Sequence, residues 1–160
     1  MELTPDAVAA EREWALGRAD DVVPLVNRVR AELGESFDTA VQPIDAGDYR
    51  DAVVAVFADG DLAVNVAALI RLLRALDVED DYPGFVVDEL LGRELAAMIA
   101  GGQPLRLLAE ATFHYADVAT HGGADEAAGA DDLTAALAAG VQTRLPGWAW
   151  RRGTSPFTVG

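Results

Sequence analysis

The chain has only two histidines, His114 and His121, and both fall in one segment of helical spacing that also holds Glu110 and Asp117. Imidazole and carboxylate together could move protons near neutrality or ligate a divalent transition metal such as Zn, Fe or Mn. Offsets of 0, 4, 7 and 11 place all four side chains within an arc of about 60° on a helix. The histidines stand about 10.5 Å apart along the axis, so one ion cannot take both. A metal would use one adjacent pair and draw its remaining ligands from another helix, where Asp88, Glu89 and Glu94 are the candidates. Helical di-metal proteins carry Glu-x-x-His pairs on two helices; here the order is reversed and one helix holds both histidines. The plainer reading makes the stripe a solvated face opposite Leu105, Leu108, Tyr115 and Ala119, with ordinary i,i+4 pairs. That reading is preferred, with metal binding by Glu110, His114, Asp117 and His121 as the alternative. Leu107, Phe113 and Val118 flank the stripe on both sides.

Other chemistries lack residues. There is no cysteine, which removes disulfides and thiolate catalysis, and no lysine, which removes the P-loop cation. Neither GxGxxG nor GxxxxGK occurs. Ser36, Thr39, Ser155 and Thr158 have no neighbouring histidine, so a Ser-His-Asp triad has no sequence support. A non-catalytic protein without a cofactor is the expectation.

Charge is distributed unevenly. All 27 acidic residues lie within the first 132 positions, and the net charge is −15. The last 28 residues hold three arginines, two of the three tryptophans and no acid. Self-repulsion at this density is relieved by salt, because the Debye length falls to about 3 Å at 1 M. The acidic excess therefore points to a halophilic, salt-rich cytoplasm. The terminal cluster Arg144, Trp148, Trp150, Arg151, Arg152 and Phe157 combines the residue types enriched at interface hot spots. It is expected to grip either its own acidic body or a partner, which would be another protein or a second copy. Three arginines against such a body do not suit nucleic acid. No apolar stretch approaches the roughly 20 residues of a membrane span, and the N-terminus lacks an export-signal pattern.

These residues must be positioned by helices. Alanine, the best helix former, accounts for 31 of 160 residues. Thr4-Pro5-Asp6 starts a helix that reaches Leu16 and stops at Gly17. Asp20 or Asp21 caps a second, ending at Gly34. Residues 35–47 lack a period and form a connection. Helical faces recur over 48–57 and 61–73, with Asp61 as a cap between them; a small β-hairpin near 53–66, giving an α+β fold, is the alternative. Pro83 to Ala100 and Pro104 to His121 form further helices, and Leu133 to Ala139 a short one ended by Gly140. The predicted fold is an all-α, single-domain bundle of five or six helices with a non-helical C-terminal tail. Its organisation is an acidic helical domain (1–121), a flexible Ala/Asp/Gly linker (122–132), and a short helix with a Trp/Arg-rich tail (133–160). The predicted function is that of an interaction, accessory or assembly protein docking through that tail.

Overall fold

The Thr4 hydroxyl accepts from the Ala7 N–H at 3.1 Å, and Pro5 fills a position that needs no donor; together they launch α1 (Pro5–Leu16). The computed structural model describes residues 1–75, 87–120 and 130–145. After α1 come α2 (Ala19–Ser36), α3 (Ala46–Ala58) and α4 (Gly60–Ala75). A π-helical turn (Val87–Gly92) leads directly into α5 (Arg93–Ala100), followed by α6 (Leu105–Thr120) and α7 (Ala130–Gln142). The protein is mostly helical, with seven α-helices and no strand among the described residues.

Several boundaries differ from those expected, each for a physical reason. Asp20 and Asp21 lie inside the first turn of α2, near the positive end of its dipole, and no side chain caps it. Gly34 does not stop α2. A side-chain carbon there would come within 2.9 Å of the Thr39 carbonyl oxygen and 3.2 Å of Val41, so the glycine lets the chain fold back over the helix. The connection that follows is held by α2 itself. Asn27 donates to the Ile44 carbonyl at 2.9 Å and accepts from its N–H at 2.7 Å, and Arg30 donates to the Gln42 carbonyl at 3.1 and 3.2 Å. A capping box then starts α3, with Asp45 and Asp48 each accepting from the other's N–H at 2.9 and 3.0 Å.

Residues 53–66 form no hairpin. Both arms are helical, and α3 and α4 meet at a bend of 110°. Asp59, rather than Asp61, caps α4 by accepting from the Leu62 N–H at 3.1 Å. Among the described residues, no single helix is long and apolar enough to cross a membrane.

The largest departure concerns α7. The short helix expected over 133–139 extends over Ala130–Gln142 and packs against α2, α3, α4, α5 and α6. Leu133, Ala135, Ala136, Leu137, Ala138 and Ala139 are all buried, as befits a helix apolar around its circumference. Gly140 lies within it, at the crossing with α5, where an added side-chain carbon would come within 2.8 Å of Ile99 Cβ and 2.9 Å of the Ala96 carbonyl. Val141 and Leu145 are buried as well, so residues 133–145 belong to the core of the helical body. Residues 122–129 of the expected linker lie outside the described residues, and 130–132 are already helical.

Polar groups lock the other side of the bundle. The Tyr49 hydroxyl donates to the Ala15 carbonyl at 2.6 Å, joining α3 to α1. Burial holds that hydroxyl protonated well above its ordinary range, with Arg18 acting weakly the other way. Glu11, on α1, is buried and receives Arg71 and Arg74 from α4 at 3.1 and 2.6 Å.

Candidate functional site

Helix α6 has more apolar residues than one face can bury. Leu108, Ala109, Thr112, Phe113 and Ala116 face the core. Phe113 fits against Gly92, where any side chain would collide with its ring. Leu107, Ala111, Tyr115 and Val118 recur at intervals of four, four and three, and all four are exposed. Leu107 is 62% exposed, Val118 60% and Tyr115 46%. This is a second apolar stripe, on the side away from the core.

The stripe borders a groove. Between α6 and the end of α2 lies a cavity of about 540 Å³, lined by Leu33, Phe37, Pro104, Leu107, Leu108 and Tyr115. A smaller hollow of about 320 Å³ follows along α6 past Tyr115, bounded by Arg28, Glu32, His114 and Val118. Hollows of this size, mostly apolar with a few polar groups, are typical binding sites. Glu32, beside the smaller hollow, pairs with Arg28 at 3.4 Å, while Glu35 stands in the last turn of α2, which has no basic residue, and Asp38 follows it. Acids at a helix C-terminus oppose the macrodipole, at a cost of about 0.3–1 kcal/mol each. The rim is therefore a place where a cation would be stabilised.

Of the residues singled out for metal chemistry, Glu110, His114, Asp117 and Glu94 are described, and they occupy different environments. Glu110 is half-buried and lies 3.8 Å from Arg106, which also binds Glu94 at 3.1 Å. His114 is exposed, whereas Asp117 is buried. Among the described residues no three histidine, aspartate or glutamate side chains are grouped to hold a metal. His121 and the side chains of Asp88 and Glu89 lie outside the described residues. The reading of this stripe as the solvated face also needs correcting. It runs along the border between the buried and exposed sides, and Tyr115, expected opposite it in the core, faces outward with the apolar stripe.

Of the terminal cluster, only Arg144 is described; Trp148, Trp150, Arg151, Arg152 and Phe157 lie outside the described residues. Arg144 Nε donates to the Ile99 carbonyl at 2.5 Å, satisfying the C-terminal end of α5. Burial lowers its pKa, partly offset by Asp59. It also lines a broad, polar cleft of about 680 Å³ with Asp48, Asp51, Leu105 and Leu145. Leu105 is thus shared ground: it borders this cleft, and its neighbours Pro104, Leu107 and Leu108 border the apolar groove.

The groove was readable in part. Leu107 and Val118 stood out as apolar flanks of a polar seam, but spacing alone does not say which of two apolar faces finds a partner. Among the described residues, α6 is thus packed on one side and exposes an apolar stripe on the other. The chain belongs to the family described as Domain of unknown function (DUF7984), whose model matches residues 1–160. No curated protein and no solved structure matches it.

Proposed function

We propose that this is a non-catalytic interaction protein, an accessory or assembly component that binds another protein chain through the outer face of α6 and its C-terminal Trp/Arg segment. The observation that carries this reading is the exposed stripe of Leu107, Ala111, Tyr115 and Val118 beside a preformed apolar cavity. Single exposed apolar residues are ordinary, but an aligned set along a groove is the signature of a helix or peptide site. Aromatic and arginine side chains in the terminal segment supply the residue types that dominate such contacts.

The test compares the full chain with a Leu107→Glu/Val118→Glu double variant, each used to isolate associated proteins from its own source cells. Both substituted positions are exposed, so helicity and melting temperature should be retained. The expected result is a specific associate, present in stoichiometric amount with the parent and lost with the variant. Identical associates for both chains would overturn the reading.

A further inference from the structure

The chemistry of the outer face of α6 also points to what covers it. We propose that the partner is a second copy of this chain, joined by an antiparallel, two-fold contact of α6 with α6 centred on Ala111; this rests on the reading of that face as a docking surface and names its occupant.

Charge selects the face. The net charge is −15, and α1 to α5 each expose at least one aspartate or glutamate. Among the described residues, the exposed positions of α6 are Leu107, Ala111, His114, Tyr115 and Val118, with no aspartate, glutamate or arginine. Glu110, on the flank, lies 3.8 Å from Arg106. A two-fold axis brings a surface against itself, so an exposed carboxylate near the axis would meet its own copy. Two acidic bodies repel each other, and the outer face of α6 lets them meet without like charges in contact.

Spacing supplies the register. With the axis at Ala111, Leu107 and Tyr115 stand four residues to either side, about 6 Å along the helix. Pro104 and Val118 stand seven residues to either side, about 10.5 Å. Pro104 is exposed, and its carbonyl accepts from the Leu108 N–H at 3.1 Å as in the helix itself. Antiparallel pairing therefore sets Leu107 against the partner's Tyr115, and Pro104 against the partner's Val118. Each contact is made twice, and the small alanine at the axis lets the helices approach closely. The cavity of about 540 Å³ beside Pro104, Leu107 and Phe37 receives the incoming side chains.

Helix α2 supplies the third argument. It runs antiparallel to α6: Leu33 and Phe37 border Pro104 and Leu107, while Arg28 and Glu32 border Val118. The same axis brings Arg28, whose side chain is 62% exposed, beside the end of the partner's α2. Glu35 and Asp38 stand at that end, where the last turn has no basic residue. Within its own chain Arg28 reaches Glu32 at 3.4 Å in an exposed pair, which contributes little and is readily exchanged. Apolar contact carries the affinity, and the arginine–carboxylate pairs fix the orientation.

The test uses the full chain in molar KCl, where repulsion between the bodies is screened. Light scattering after size exclusion should give twice the 16.9 kDa mass of the chain, with the dimer fraction falling in dilute buffer. Leu107→Glu/Val118→Glu should raise the dimer dissociation constant about 100-fold or more, since each substitution is felt twice across the axis. Its circular dichroism should match the parent's. The chain has no cysteine, so single cysteines report the register. Helix axes about 8–10 Å apart, less two radii of about 2.3 Å, leave the two Ala111 α-carbons about 3.5–5.5 Å apart, within reach of a disulfide. Ala111→Cys should therefore cross-link on mild oxidation, and Val64→Cys, exposed on α4, should not. A dimer that survives the double variant, or equal cross-linking at both positions, would overturn the inference. So would a chain that stays monomeric at every salt concentration. If that monomer still captures a different protein through Leu107 and Val118, the proposed function stands without this partner; if it captures none, both fall.

Discussion

Replacing Glu11 with glutamine removes one negative charge from the contact between α1 and α4. The side chain is 3% exposed and accepts from Arg71 Nε at 3.1 Å and from Arg74 Nη1 at 2.6 Å. Arg74 also lies 4.8 Å from the centroid of Trp14, so the pair is braced by an indole face. Breaking a buried ion pair typically costs about 3–5 kcal/mol. Here both arginines are more than a third exposed and recover hydration, which lowers the expected cost of Glu11→Gln to about 2 kcal/mol. At roughly 2–4 °C per kcal/mol for a domain near this size, melting should fall by about 4–8 °C. Urea unfolding of the parent, Glu11→Gln, Arg74→Met and the double variant gives the coupling directly, expected at about 1 kcal/mol. Because the carboxylate is buried, the deficit should persist in molar KCl, where exposed pairs are screened. A loss below about 0.5 kcal/mol, or one that vanishes with salt, would refute the argument that this contact locks the helices.

Other consequences are equally checkable. Gln142 is fully buried, and among the described residues neither its amide nitrogen nor its oxygen has a hydrogen-bond partner, so Gln142→Met should raise stability by about 1 kcal/mol in urea unfolding; a loss of that size would contradict it. Tyr49 is held protonated in the folded state above its ordinary value of 10.0, so the unfolded chain loses that proton first. Stability should therefore fall as pH rises above about 10, and Tyr49→Phe should flatten this dependence while losing the bond to the Ala15 carbonyl. With a net charge of −15, the melting temperature should rise from dilute buffer to molar KCl. Equal or greater stability in dilute buffer would sink the halophilic reading.

Local signals in the sequence placed some helix boundaries well, including the ends at Leu16 and Ala100, and others poorly. Thr4-Pro5 marks α1 because cap and first turn are adjacent in the chain. Gly34 and Gly140 looked like helix stops, since glycine commonly sits at that place. In the fold both lie inside helices, because Val41 and Ile99 pass too close for a side chain. That approach is tertiary and leaves no local trace. The same limit hid α7. Its alanines predict a helix, but only the assembled bundle makes it the central one. Charge misled in a similar way. Most carboxylates are solvated, yet Glu11 is buried between two arginines that lie about 60 positions away in sequence. At the candidate site, the residue types of α6 announced two polar–apolar boundaries. Which apolar face would remain bare depended on where α2 ends.

The claim that the outer face of α6 is a docking surface is tested most directly by carbene footprinting of the full chain, alone and bound to the protein that co-purifies with it. Val54 and Leu72, exposed elsewhere on the bundle, serve as internal references. The account predicts that Leu107, Tyr115 and Val118 lose labelling in the complex while Val54 and Leu72 keep theirs. Unchanged labelling along α6, with protection elsewhere on the surface, would contradict it.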